Sequence, residues 1–346
     1  MTDHAVRVAP AGADVATTNG REPLLSVRDL VQEYVTRGPG GVKTGVVHAV
    51  SGVSFDLMPG ETLGIVGETG SGKSTLARAI IQVETPRSGT VRFQGQDLVG
   101  MSKREIKKVR ANMQMVYQDP FGSLNPRWRV SDVIAEPLLG HTSMTREQRA
   151  ARVDELLELV GLRPSTYRHR RPLELSGGQA QRVAIARAVA LGPALIICDE
   201  ATSSLDVLIR AQVLNLLEKL REELNLAYLF IAHDLATVKR VSDRVAVMHL
   251  GQLAEFGPVD EVYAAPRHPY SRALLDSIPV LDIETGIAKR PVALPGEPPS
   301  PLNPPSGCRF RTRCARAQDV CAEVEPERTK VSDRHEVSCH FPLAAP

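Results

Sequence analysis

No apolar run in the chain approaches the roughly 18–20 residues that a helix needs to cross a bilayer, so no membrane span is expected. A charge excess is lacking too. Lys and Arg total 42 against 40 Asp and Glu, and a net +2 gives no general pull toward nucleic acid or anionic lipid. Residues 1–22 lack the basic-then-apolar pattern of an export signal and read as a loose arm. There is no internal repeat. Cysteine is almost missing until the end: Cys198 sits in an apolar run, and the other four of five fall within the last 40 residues. These absences place the chain in the cytosol or on a membrane's cytosolic side. In that reducing setting a cysteine cluster raises metal or redox chemistry before disulfides.

What is present is ordinary globular material: 346 residues, 42% apolar and 24% charged, enough for a large domain with an appendage or for two modest ones. Order is expected from Leu24, where alternation begins. A glycine-rich turn over Gly38–Gly45 separates it from a second alternating stretch, Val46–Leu57, and Met58-Pro59-Gly60-Glu61 is a tight turn. Thr62–Val66 reads as a short apolar strand, followed by a glycine loop and a helix from Lys73 to about Val83. Thr145 with Gln148 forms a capping box for a helix carrying Val153, Leu156, Leu157 and Val160, with Gly161 as its C-terminal cap. Buried strands are expected at Ala194–Cys198, Tyr228–Ala232 and Arg244–Met248. Helices between them give the alternation of a mostly parallel α/β sheet. After about Ala265 the composition shifts, and the prolines recurring through 291–305 argue for a linker or strap rather than regular structure.

Gly67-Glu68-Thr69-Gly70-Ser71-Gly72-Lys73-Ser74 fits G-x-x-x-x-G-K-[ST]. Its glycines let several backbone N–H groups face one anion, and the helix that follows offers its positive end. Lys73 would contact the β- and γ-phosphates, and the Ser74 hydroxyl would hold Mg²⁺. Leu195–Glu200 is a buried strand ending in two carboxylates. Asp199 is placed to hold Mg²⁺ and Glu200 to accept a proton from, or orient, the attacking water. His233 and Gln118 follow two further strands at the same expected sheet edge, His233 as a γ-phosphate contact and Gln118 as a Mg²⁺ ligand. Ser176, Gly177, Gly178 and Gln179 open a helix over about Ala180–Leu191 and form a second anion nest. One nucleotide rarely needs two, which hints at a site shared between subunits.

Together these segments resemble the ATP-binding-cassette (ABC) ATPases, in the same order along the chain. The phosphate loop is Gly67–Thr75, the glutamine loop Gln118, and the signature Leu175–Gln179. The second acidic motif is Leu195–Glu200, the loop after it Ser203-Ser204-Leu205-Asp206, and the switch histidine His233. Tyr34 falls where the family places an aromatic that stacks on adenine, and Asp206 joins the nucleotide-binding set. Ala180 and Ser204 depart from the commoner residues without removing a phosphate contact. The resemblance implies an α/β P-loop NTPase (RecA-like) core over 23–265, with an antiparallel β-subdomain and a helical insert at about 120–178. It also implies a small C-terminal extension over 266–346, and a head-to-tail dimer in which each ATP lies between one phosphate loop and the partner's signature.

A narrower resemblance covers nearly the whole chain. Gln118–Arg127, His268-Pro269-Tyr270-Ser271-Arg272-Ala273-Leu274-Leu275 and Leu294–Pro299 look like the di- and oligopeptide importer ATPases. That group implies Mg²⁺ and ATP as cofactor and substrate, a second ABC ATPase subunit, two transmembrane permease subunits and an extracytoplasmic solute-binding protein. The chain would sit peripherally on the cytoplasmic face of the inner membrane, without nucleic acid. Nickel importers share part of the pattern, and the transported solute and the identity of the ATPase partner stay open. An ABC protein acting on DNA or ribosomes, a half-exporter and a nucleotide sensor are the other readings. One cassette, no heptad run, no fused membrane helices, and Lys73, Glu200 and His233 together weigh against them.

Cys308, Cys314, Cys321 and Cys339 are spaced C-x5-C-x6-C-x17-C. Four thiolates suit a tetrahedral metal site or an iron–sulfur cluster, and the spacing matches neither zinc ribbon nor bacterial ferredoxin. The resemblance adds that some peptide-importer ATPases carry a [4Fe–4S] cluster on such cysteines. Cluster, zinc and free thiols all stay open, as does whether Arg309, Arg311, Arg313 and Arg316 form a solvated face or meet an acidic partner.

Overall fold

The computed structural model describes residues 22–278, 280–281, 288–289 and 296–344. Residues 1–21 of the arm expected over residues 1–22, and the strap residues 291–295, lie outside the described residues.

The strands β1 (Leu25–Arg37) and β2 (Lys43–Leu57) form an antiparallel pair with Leu25 opposite Leu57. The turn between them is shorter than the glycines suggest. It spans residues 38–42, closed by the Gly38 N–H on the Val42 carbonyl at 2.9 Å. β4 (Ser88–Phe93) pairs with the other side of β1, and β5 (Gln96–Asp97) completes a four-stranded antiparallel sheet.

The larger sheet has eight strands. Its parallel part runs β9 (Arg244–His249), β3 (Thr62–Val66), β8 (Ala227–Ile231), β7 (Leu195–Asp199), β6 (Met113–Val116). Beyond β9 the pairing turns antiparallel through β10 (Gln252–Pro258) and β14 (Glu336–Ser338) to β13 (Arg328–Lys330). A separate two-residue pair joins β11 (Val280–Leu281) to β12 (Ala288–Lys289).

All five residues of β3, β7 and β8 are buried, as strands flanked on both edges and covered on both faces must be. Alternation assigns each to a layer. Leu195, Ile197, Leu229 and Ile231 pack toward the four-stranded sheet and α1 (Lys73–Ile80), with Leu25, Val53, Leu76 and Ile80. Ile196, Cys198, Tyr228 and Phe230 face the opposite layer, with Ile185, Val213 and Leu217.

That layer contains the long helices. After α2 (Lys103–Arg110) and α3 (Pro120–Ser123) come α4 (Val130–His141), α5 (Arg146–Leu159), α6 (Pro164–Tyr167), α7 (Gly177–Val189) and α8 (Val207–Leu224). The Thr145–Gln148 capping box is present, and Gly161 follows α5 at φ 74°, the left-handed stop that glycine permits. α1 is shorter than expected, because Gln82 at φ 57° turns the chain away before Val83.

The last helices are α9 (Leu235–Val241), α10 (Val259–Ala264), α11 (Pro269–Asp276) and α12 (Val320–Glu323). Tyr270 and Phe310 belong to the main core, so the C-terminal segment is packed into it. Among the described residues no helix is long and apolar enough to cross a membrane.

Candidate functional site: the carboxyl edge of the parallel strands

Strand β3 ends at Val66, and the chain turns through residues 67–72 into α1. Gly67 (φ 153°) and Gly72 (φ 103°) leave no room for a side chain. A Cβ on Gly67 would stand 2.0 Å from the Met248 carbonyl oxygen, and one on Gly72 2.0 Å from that of Ala49. The loop is therefore pressed against backbone on two sides, and its shape is fixed before any ligand arrives.

Lys73 is buried to 4% exposure, and its Nζ donates to the Gly67 and Glu68 carbonyls at 2.8 and 3.0 Å. Burial lowers its pKa, while Glu200, Asp199 and Glu68 oppose the shift. A buried ammonium held, among the described residues, only by loop carbonyls and Ser71 is free to turn to a polyanion.

The next side chain, Ser74, donates through Oγ to Asp199 Oδ1 at 2.8 Å. That contact joins the start of α1 to the end of β7. Asp199 has its pKa raised by burial, against the Ser74 hydrogen bond. A hydroxyl and a buried carboxylate at one point are hard oxygen ligands of the kind Mg²⁺ takes, so the residues present fit the ion.

Glu200 sits at φ 50°, a region uncommon for residues other than glycine and frequent at functional sites. Its N–H donates to the Ile231 carbonyl at 2.9 Å, and the Ser203 N–H and Oγ hold its own carbonyl at 3.0 and 2.9 Å. His233, just beyond β8 and half exposed, brings Nδ1 to 3.5 Å from Glu200 Oε2. Lys73, Ser74, Asp199, Glu200 and His233 thus meet along one edge.

The other candidates stand around this group. The Tyr34 hydroxyl bonds Glu84 and meets Thr75 of α1, and burial raises its pKa. Its ring lies beside the phosphate-loop helix. Thr69 and Gly70 are exposed at the loop's tip, and the Ser71 N–H closes the loop on the Glu68 carbonyl at 3.1 Å. Gln118 is exposed, and its carbonyl accepts from Ser204 Oγ at 3.3 Å. Asp206 caps α8 through the Ile209 N–H at 3.0 Å.

The signature segment stands elsewhere. Ser176 caps α7, bonded reciprocally with Gln179, whose Nε2 reaches the Tyr167 hydroxyl at 3.1 Å. Helix α7 starts three residues before Ala180 because this cap extends it. Among the described residues no hydrogen bond or ion pair links residues 175–179 with 67–75.

Residue patterns missed two neighbours of the loop. Tyr270 OH accepts from the Glu68 N–H at 2.9 Å, and Arg313 forms a two-point ion pair with the Glu68 carboxylate at 2.7 and 3.0 Å. Neither a solvated face nor an outside partner describes Arg313, which is buried. No motif spacing connects residues so far apart in sequence, so only the fold reveals them.

Cys308, Cys314, Cys321 and Cys339 line one small cavity with Phe310, Phe341 and His268. Burial raises the Cys308 and Cys339 thiol pKa values, that of Cys339 to about 11, and the neighbouring thiols push both further up. Among the described residues no three His, Cys, Asp or Glu side chains are arranged to hold one metal ion. A single zinc needs its sulfurs about 2.3 Å from a common centre, so the geometry gives that expectation no support, and it gives an iron–sulfur cluster none beyond the shared cavity.

The ABC transporter family model matches residues 50–203, and that of the oligopeptide/dipeptide transporter C-terminal region matches 254–321. The oligopeptide transport ATP-binding protein AppF of Bacillus subtilis is 49% identical over 327 residues, covering 94% of this chain and 99% of its own. The oligopeptide transport ATP-binding protein OppF of Escherichia coli is 48% identical, covering 94% and 98%. The di/tripeptide transport ATP-binding protein DppF of Pseudomonas aeruginosa is 46% identical, covering 92% and 98%. Among solved structures, the dimeric ATP-binding cassette MJ0796 in a post-hydrolysis state with ADP and phosphate aligns at TM-score 0.61 and 27% identity. It covers 68% of this chain and 98% of that one. At this identity over nearly the whole chain, the chain belongs to the ABC transporter ATPases, in the branch that carries the oligopeptide/dipeptide C-terminal region.

Proposed function

We propose that this chain is the ATP-hydrolysing subunit of an importer that takes up di- or oligopeptides through separate permease subunits. The observation that carries the reading is the junction of Ser74 with Asp199 beside buried Lys73 and Glu200. It supplies in one place a cation for terminal phosphates, oxygen ligands for Mg²⁺ and a carboxylate for water.

When bound, Mg²⁺ would neutralise charge developing on the β- and γ-oxygens, held by Ser74 and Asp199 with Gln118 on the adjoining loop. Lys73 moves its ammonium from the loop carbonyls to the phosphates. Glu200 orients the attacking water and takes its proton, with His233 near its carboxylate and the γ-phosphate. The base would stack on Tyr34. The phosphate-loop amides of Thr69–Thr75 cradle the phosphates.

The second half of the site comes from a partner ATPase, the same chain or a related one. Ser176, Gly177, Gly178 and Gln179 present a capped helix N-terminus that, among the described residues, makes no hydrogen bond to residues 67–75. Val207 and Leu208, just after Asp206, are 76% and 77% exposed, as a contact surface would leave them. The helical insert also carries exposed Phe121, Trp128 and Leu139, apolar surface suited to a permease. The chain then works peripherally at the cytoplasmic membrane face, served by an extracytoplasmic binding protein. The division into a cassette over 23–265 and an extension over 266–346 follows the same reading. The four thiols that line one cavity supply the donor type of an iron–sulfur cluster, and iron analysis of anaerobically prepared protein decides between that and free thiols.

The test is purification from detergent-extracted membranes followed by ATPase assay of the complex. Permease subunits should co-purify, and peptide-loaded binding protein should stimulate hydrolysis. Stimulation by nickel-loaded binding protein alone, or recovery with ribosomes or DNA and no permease, would overturn the reading.

A further inference from the structure

Two side chains from the C-terminal segment converge on one residue of the phosphate loop. Tyr270, the second residue of α11 and fully buried, accepts the Glu68 N–H at 2.9 Å. Arg313, one residue before Cys314, has its side chain 3% exposed and grips both Glu68 carboxylate oxygens, at 2.7 and 3.0 Å. Behind them the contact is stiff. The rings of His249, His268, Tyr270 and Phe310 pack with centroids 4.4–6.5 Å apart, and the Arg313 guanidinium lies 5.9 Å from the Phe310 ring.

Glu68 is an awkward residue for a loop that receives a polyanion. Its carboxylate repels phosphate unless a cation answers it, and it also helps place Lys73, whose Nζ rests on the Glu68 carbonyl. Three basic side chains surround it. Lys73 feels its charge, but that ammonium turns to the nucleotide once phosphates arrive. His249 Nδ1 stands 3.8 Å from Glu68 Oε2, yet burial holds its pKa near 4 and leaves it neutral at neutral pH. Arg313 meets the carboxylate at two points, in the fork geometry that suits a guanidinium.

We propose that Arg313 is a positioning residue of the ATP site. It cancels the charge of Glu68 and, with Tyr270, pins the Glu68 peptide, so that the C-terminal segment sets nucleotide affinity. The inference rests on the assignment of residues 67–75 to ATP phosphates. Arg313 does not touch the nucleotide; it acts through Glu68.

The experiment uses the full chain, a non-hydrolysable ATP analogue for Kd, and steady-state KM and kcat. Arg313→Met should weaken binding and raise KM about tenfold, with kcat within about threefold, because an unanswered carboxylate opposes binding more than chemistry. Arg313→Met/Glu68→Gln removes both charges and should return Kd to within about threefold of wild type. A purely structural Arg313 predicts no such rescue. A KM for Arg313→Met within about twofold of wild type, or a double variant that binds no better than the single one, overturns the proposal. Should Arg313→Met lack a thermal transition, Arg313→Lys and Tyr270→Phe enter the same assays, and wild-type KM in both overturns it equally. Failure of the wild-type chain to bind the analogue would instead remove the phosphate-loop assignment itself.

Discussion

At residues 67–75 a helix N-terminus is built inward, with its glycines against backbone, its lysine buried and its second residue held by two side chains from the far end of the chain. At residues 176–179 another helix N-terminus is built outward. Ser176 is exposed and is held by its own cap and by a Gln179–Tyr167 contact, with Ile209 of α8 packed against Gly178. Both offer N–H groups and a helix dipole to an anion. The difference bears on the proposal that a partner supplies the second half of the site. A nest that must accept a ligand from within one chain is preorganised by its neighbours. A nest that must close on another subunit's ligand is left open and self-sufficient.

The largest expected effect separates chemistry from binding. Glu200→Gln should slow phosphate release on the order of 10²–10⁴-fold, while equilibrium ATP binding at the inward nest persists. Loss of binding along with turnover would mean that Glu200 shapes the loop rather than the water.

The second test pits one nest against the other. Where the chain pairs with itself, Lys73→Ala and Ser176→Ala preparations should each be nearly inactive. Mixed in equal amounts they should recover roughly a quarter of wild-type turnover, because each mixed dimer regains one intact site. An unchanged low rate after exchange would break the shared-site reading.

Acid acts through stability rather than turnover, and only on the inward side. Burial lowers the pKa of His249 and His268 from 6.5 to about 4 each, and Glu68 and Glu255 oppose this. Between these values the unfolded chain binds more protons than the folded one. Stability is therefore complete above about 6.5 and is lost as pH falls toward 4, by up to about 1.4 kcal/mol per pH unit for each group. Thermal melts across that range should show the decline, and His268→Asn should flatten it.

Much of this was readable in the residues, for definable reasons. Strand β3 matches its expected bounds because a five-residue apolar run between a Pro-Gly turn and a glycine loop admits no other register. Asp199, Glu200 and His233 were legible because each lies at or just past a strand end. Lys73 and Ser74 were legible because the glycine loop after β3 announces the helix they open, and the topology brings these ends together. The parallel sheet was legible through β9 but not beyond. β13 and β14 have three residues each, too few to show alternation, so their addition to the sheet left no trace in the pattern. Arg313 was read as one arginine among several, because its partner lies 245 positions away and charge alone does not report burial.

The addition of β14 alongside β10 has a consequence for how the sheet meets other chains. β10 is a seven-residue strand bearing buried Leu253, Ala254 and Phe256, and without β14 its free ladder groups would be an open invitation to another chain. The terminal β13 that replaces it as the rim is brief and carries Arg328 and Lys330, a poor template for strand addition. Besides bearing on nucleotide affinity, the C-terminal segment therefore serves as a selvedge, and a chain cut before it would be expected to self-associate.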